Sequence, residues 1–107
     1  METLLRWYLA RANEDAVLRI VFGEDAARLP DLVSAAIADA QPVVDDLIAR
    51  DVADGALRPD FDFADFRAVC AAVTATMNAG PSEAAWTRVL DFVLAGIRTP
   101  DSATDRA

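Results

Sequence analysis

Apolar residues recur along the chain at intervals of three and four, which is the spacing of an amphipathic helix and not of a strand. The pattern predicts an all-α fold, a bundle of about five helices. Apolar positions of the first two segments lie within residues 3–22, and those of the third run from about residue 31 to about residue 53. Pro42 lies inside the third segment, so we expect either a kink near residues 38–41 or two abutting helices.

Capping residues and glycines predict where the helices begin and end. Asn13 is expected to cap a second helix, although the first two segments could instead form one helix. Gly23 is expected to end that second segment, and Gly55 fits the left-handed position that follows a helix C-terminus. Asp62, followed three residues later by another aspartate, is expected to cap the fourth helix, and Ser82 the fifth.

The last two helices carry more apolar surface than one packing contact requires. We expect them to form an antiparallel hairpin that is joined by a tight turn near residues 78–82. One apolar stripe of the pair can face the body of the domain. The other stripe needs a second surface, most simply a second copy of the chain in a two-fold dimer.

The composition argues against several classes of partner. The 107 residues are enough for one domain, and the net charge is −8, with 10 arginines, no lysine and 18 acidic residues. Nucleic acids and anionic membranes attract basic proteins, so we expect neither as a partner of this chain alone. A single cysteine excludes an intrachain disulfide, and no signal peptide or membrane-spanning run is recognisable, so we expect a cytoplasmic protein.

Residues suited to catalysis or metal binding are scarce. The chain has no histidine, and its only cysteine, Cys70, stands among apolar residues where a packed thiol is expected. Asp60, Asp62 and Asp65 loosely suggest a calcium loop, but Ala64 occupies a ligand position of that loop and Asp65 the position of its glycine. We therefore expect no enzymatic activity, no metal site and no cofactor, and we assign these aspartates to helix capping.

Three aromatic residues near the N-terminus have two possible roles. Trp7, Tyr8 and Phe22, with Arg6 and Arg11 nearby, could line an apolar pocket that has a few polar groups. Packing in the core is the commoner role for any one of them.

The order of these segments resembles the C-terminal domain of TetR/AcrR-type bacterial transcription regulators. The resemblance rests on RWYLARANEDAVLRIVFGED, on the Gly-x-x-Arg-x-Asp joint at residues 55–60, and on the closing run W-x-x-V-L-D-F-V-L-x-G-I-R at residues 86–98. It covers residues 3–99. We therefore predict a regulatory domain over residues 1–99 and a disordered tail over residues 100–107.

The resemblance implies a homodimer formed through the last two helices as a four-helix bundle, and an effector pocket among the earlier helices. A small hydrophobic effector is implied, but its identity and the target genes are not. The pocket candidates are Trp7, Tyr8, Arg11 and Phe22. The predicted dimer contacts are Phe66, Val69, Val73, Met77, Trp86, Leu90, Val93 and Ile97.

The sequence departs from this family in one respect, because the helix-turn-helix that precedes such domains is not present in it. A fragment, a late start of the reading frame and a natural stand-alone protein all remain open. Our leading hypothesis is an effector-sensing and dimerisation domain of a TetR-type regulator without its own DNA-binding domain. The alternative is a stand-alone helical interaction module that forms homodimers or heterodimers.

Overall fold

The structure, a computed structural model, describes residues 1–22, 30–80 and 82–98. These residues form five α-helices and no strand, which confirms the all-α prediction. The helices are α1 Glu2–Glu14, α2 Ala16–Val21, α3 Pro30–Ala53, α4 Phe63–Ala79 and α5 Glu83–Ile97. The predicted helix stop at Gly23 and the predicted tail at residues 100–107 lie outside the described residues.

The first two segments are separate helices, and the residue that divides them is Asp15. Its backbone is extended (φ −128°, ψ 110°), and its Oδ1 accepts a hydrogen bond from the Leu18 amide at 3.4 Å. Asn13 lies inside α1, so the prediction that it caps the second helix is wrong. Asparagine and aspartate are comparable caps, and here the aspartate lies where the backbone leaves the helical conformation.

The third helix continues through Pro42, so the alternative of two abutting helices is wrong. A proline inside a helix leaves the carbonyl four residues earlier without its usual amide partner. That carbonyl belongs to Ala38, and Ala38 and Pro42 are both exposed, so water can solvate the unpaired group. Val44 and Ile48 lie on the buried side of the same helix and hold it against the core.

The connection from α3 to α4 has the geometry that its sequence predicts. Gly55 adopts a φ of 76°, the Ala56 amide bonds to the Asp51 carbonyl at 3.0 Å, and the Gly55 amide bonds to the Val52 carbonyl at 3.1 Å. These two bonds close a helix that ends in a left-handed glycine.

The aspartates that follow this connection cap α4 in both directions. The Asp65 amide donates to Asp62 Oδ1 and the Asp62 amide donates to Asp65 Oδ2, each at 3.0 Å. The predicted capping role of Asp62 is therefore confirmed, and the pair forms a reciprocal capping box. Ser82 stands at the predicted N-cap position of α5, but its side chain makes no capping hydrogen bond.

The core is organised around α4, which packs against α1, α3 and α5. Phe66, Cys70 and Val73 are at most 2% exposed and lie on one side of α4. Helix α5 follows α4 after a short connection and packs against it, as expected for the predicted hairpin. No helix in the described ranges is long and apolar enough to cross a membrane.

Arg19 joins three of the helices through hydrogen bonds. From α2, its Nε donates to the Ala12 carbonyl at 3.0 Å and its Nη2 to the Asn13 carbonyl at 2.9 Å. These carbonyls belong to the last turn of α1, where no amide of the same helix is available to them. Its Nη1 also donates to Asn78 Oδ1 on α4 at 3.4 Å.

Replacing Arg19 with Ala should lower the free energy of unfolding by about 1–2 kcal/mol, because charge-assisted bonds to two carbonyls are lost. Arg19→Lys should recover only part of that loss, because an ammonium group cannot reproduce the fork of the guanidinium. Urea unfolding followed by circular dichroism measures both changes. The exposed Arg67→Ala is the matched control, and an equal loss in that variant would contradict the role assigned to Arg19.

The buried thiol of Cys70 should make the fold sensitive to alkali. Burial raises the pKa of Cys70 from its ordinary value of 9.0 to about 12. The unfolded chain therefore ionises first, and the stability is complete below pH 9.0 and is lost as the pH rises toward 12. Urea unfolding across this range should show a shallower loss for Cys70→Ala than for the wild type. Parallel profiles for the two proteins would contradict the prediction.

Candidate functional site

An apolar stripe runs along the outer side of α5. It consists of Ala85, Val89, Phe92 and Gly96, which recur at helical spacing, and we call it the outer stripe. Ala85, Phe92 and Gly96 are exposed, whereas Val89 is partly buried and packs against the edge of the core. Phe92 is its largest member and its side chain is 64% exposed. The guanidinium carbon of Arg88 lies 5.0 Å from the centroid of the Phe92 ring. Contiguous exposed apolar patches, rather than single apolar residues, are typical of contact surfaces, and Phe92 lies in such a run with Ala85 and Gly96.

The eight predicted dimer residues divide into two groups. Val69, Val93 and Ile97 are partly buried, so their side chains can reach a partner, and Val69 and Ile97 also pack against the core. The other five are buried in the single chain, where they can support a contact surface but are already packed. These five are Phe66, Val73, Met77, Trp86 and Leu90. The assignment of all eight to a dimer interface stays a prediction.

Sequence reasoning did not single out Phe92 as an exposed apolar residue of α5. Consecutive helical residues differ by about 100° in direction, so Phe92 and Val93 face different sides of α5. A helical projection separates the outer stripe from the core positions Trp86, Leu90 and Leu94, and that signal was available in the sequence.

A groove of about 270 Å³ lies where α4 begins and α5 ends. Its apolar wall includes Ala68 and Val69 on α4 and Gly96 and Ile97 on α5. Asp65 is among the polar residues on its rim. The groove therefore touches the outer stripe at Gly96.

Arg58 fixes the loop that forms the remaining wall of this groove. Its amide donates to the Ile97 carbonyl at 3.0 Å, and its Nη1 donates to the Gly96 carbonyl at 3.4 Å. Its Nε and Nη2 hold the two oxygens of Asp60 at 2.6 and 2.9 Å. Hydrogen bonding from Arg58 lowers the pKa of Asp60. The groove thus has a fixed wall and an ionised rim at neutral pH.

A cluster of four aromatic rings joins α2 to α1 and α4. The centroid of Phe22 lies 5.5 Å from that of Tyr8 and 5.4 Å from that of Phe66, both in edge-on arrangements. Phe63 stacks on Phe66 at 5.9 Å. Such ring pairs contribute packing energy beyond their buried area.

The hydroxyl of Tyr8 fastens the end of α2 to this aromatic cluster. It donates a hydrogen bond to the Leu18 carbonyl and accepts one from the Phe22 amide at 3.4 Å. Burial raises the pKa of Tyr8 to about 12, so the hydroxyl keeps its proton and its donor role at neutral pH.

The four predicted pocket residues fall into two pairs on different sides of α1. Tyr8 and Phe22 are in contact in the aromatic cluster. Trp7 is 58% exposed on the other side, where the guanidinium carbon of Arg11 lies 5.3 Å from its ring centroid. The structure therefore does not bring the four side chains together, and only Tyr8 and Phe22 adjoin the interior.

Two further open clefts of the described structure are large enough for a small molecule. One, of about 420 Å³, lies between α3 and α4, with Ile37 and Phe63 as apolar walls and Arg67 among its polar residues. The other, of about 460 Å³, lies where α1 begins and α5 ends, and includes Leu57 and Leu94. In the described part of the chain, no group of three or more metal-binding side chains is found.

Residues 2–99 match the model of the family described as "Transcriptional regulator SbtR-like, C-terminal domain". The match and the all-helical fold place the chain in the class of TetR-type regulatory domains. The chain belongs to the family of SbtR-like C-terminal domains of TetR-type transcriptional regulators. Comparisons with curated proteins and with solved structures gave no match.

Replacing Tyr8 with Phe removes only the hydroxyl that holds α2. The free energy of unfolding should fall by about 1 kcal/mol, because the Leu18 carbonyl and the Phe22 amide each lose a partner. Hydrogen exchange should quicken at the amides of α2 and remain unchanged in α5. Trp7→Phe is the control, since it alters an exposed ring of the same helix. Equal exchange of α2 in both variants would contradict the fastening role.

Proposed function

We propose that this chain is the effector-sensing and dimerisation domain of a TetR-type regulator, and that these residues alone do not bind DNA. The family match over residues 2–99 carries the proposal. A TetR-type C-terminal domain suggests that this part of a regulator both binds an effector and dimerises. The outer stripe of α5, with Phe92 64% exposed, supplies a surface that a second copy would cover.

The aromatic cluster and the adjoining cleft support the effector-sensing part of the proposal. Phe63 belongs to both, because it stacks on Phe66 and forms a wall of the 420 Å³ cleft between α3 and α4. An apolar molecule bound there would contact Phe63 and Ile37, while Gln41 and Arg67 could orient a polar group. We place the effector in this cleft and assign Tyr8 and Phe22 to its supporting wall.

The charge of the chain supports the absence of DNA binding. With a net charge of −8, the protein lacks the excess of basic residues that neutralises phosphates. In an electrophoretic assay with the chain alone, duplex DNA should not shift. A shift that persists at physiological salt would contradict this part of the proposal.

Sedimentation velocity over a concentration series tests the dimer directly. The expected result is a species of twice the 11.5 kDa chain mass at micromolar concentration. A monomer at every concentration would contradict the homodimer and would favour the alternative, in which the outer stripe awaits a different helical chain. A mixed dimer with a separately purified TetR-type domain would then support that alternative.

Replacing Phe92 with Asp should weaken the dimer by at least about a hundredfold, because a central aromatic contact is replaced by a buried unpaired charge. The fold should persist, since Phe92 is 64% exposed in the single chain. Sedimentation gives the dissociation constant, and circular dichroism checks the fold.

The matched control is Val43→Asp, which places the same charge at a site on α3 that is 69% exposed. This control should dimerise as the wild type does. If the two variants lost the dimer equally, the interface would not lie on the outer stripe.

A further inference from the structure

The outer stripe contains both a protruding side chain and an opening, one helical turn apart. Phe92 projects from α5 with 64% of its side chain exposed. Gly96, four residues later, borders the 270 Å³ groove at the end of the helix. A Cβ atom built on Gly96 would meet nothing within 4 Å, so the space beside this glycine is open.

The groove has the size and lining to receive an aromatic ring. Ala68 and Gly96 leave room in it, and Val69 and Ile97 offer apolar contact. The hydrogen bonds of Arg58 to the carbonyls of Gly96 and Ile97 hold the groove in shape. A ring that entered it would meet a preformed surface, which lowers the cost of ordering on association.

The positions of Phe92 and Gly96 on one helix make the surface complementary to itself. In a two-fold dimer, residue i of one copy contacts residue j of the other, and the reverse contact follows by symmetry. If two α5 helices cross antiparallel with the axis between Phe92 and Gly96, each ring faces the glycine of the other copy. The same two-fold rotation then fills the grooves of both copies.

We propose that Phe92 of each copy occupies the groove beside Gly96 of a second copy, and that this exchange sets the register of the dimer. The inference rests on the proposed dimerisation of the domain. It goes beyond that proposal because it names the side chain that is inserted and the groove that receives it.

The charges at the two ends of this contact are complementary. Arg88 lies over the Phe92 ring and one turn before it, so its guanidinium would accompany an inserted ring to the groove. The charged residues that line the groove are Arg58, Asp60 and Asp65, which together carry a net negative charge. Asp60 already pairs with Arg58, so a second guanidinium would complete a mixed network. Since both partners are exposed, this contribution should be small and should weaken with salt.

Replacing Gly96 with Leu tests the register, because the new side chain extends from the border of the groove into space that is open in the single chain. The dimer should weaken by about ten- to a hundredfold, which corresponds to ordinary overpacking. The control is Ala84→Leu, which adds the same side chain at an exposed position of α5 three turns before the groove. That control should keep the dissociation constant of the wild type, and circular dichroism should show intact helices in both.

Two further variants keep the test decisive. Gly96→Ala adds one methyl group and should weaken the dimer less than Gly96→Leu does. A dissociation constant that rises with the size of the side chain would show that space beside Gly96 limits the association. Arg88→Gln should weaken the dimer several-fold at low salt and flatten its salt dependence.

The possible failures are distinguishable. A Gly96→Leu dimer as tight as that of the wild type would overturn the insertion and leave the proposed dimer standing. A wild-type protein that stays monomeric would overturn both proposals.

Discussion

The burial of one side of α4 is the constraint on which the rest of the structure depends. Phe66, Cys70 and Val73 are almost wholly buried on that side, and α1, α3 and α5 each pack against the same helix. A chain of this size has little further interior to build, so apolar residues beyond that core are left at the surface. Phe92 is the clearest of them, and its position on α5 follows from how α5 must turn to bury Leu90 and Leu94.

Much of this fold could be predicted from sequence because its signals are local. Helical periodicity, the left-handed glycine at position 55 and the capping aspartate at position 62 each act within a few residues. The failures arise where two local solutions have similar energy. Asn13 and Asp15 are both good caps, and the chain bends at the second. A proline in a helix is costly where its carbonyl is buried, but Pro42 lies on the exposed side of α3.

The candidate sites were harder to predict because they depend on which side of a helix meets the core. Trp7 and Tyr8 are adjacent in sequence and face different surroundings, so only the second joins the aromatic cluster. In the same way, apolar residues of α4 and α5 at helical spacing serve either the single chain or a partner. A helical projection of the sequence separates the sides of each helix, but it does not say which side meets the core, because both sets satisfy the same periodicity. The burial of Trp86 and Leu90 and the exposure of Phe92 make that division.

Helix α4 contributes residues both to the proposed effector cleft and to the proposed dimer surface. Its first turns carry Phe63 and Phe66 in the aromatic cluster, and the same part of the helix carries Ala68 and Val69 in the groove. An effector that displaced Phe63 would therefore act on a helix that also forms the proposed dimer contact. Coupling of this kind requires the bound and free states to differ in the position of α4, and by linkage the dimer would in turn alter effector affinity.

The most direct measurement is the distance between spin labels on two copies of the chain. A Cys70→Ala background permits a single label at Ala95, an exposed position next to the outer stripe, or at Val43 on α3. A dimer through α5 predicts a short, narrow distance distribution for the label at position 95 and a longer one for the label at position 43. A shorter distance at position 43, or no intermolecular distance at position 95, would contradict the account.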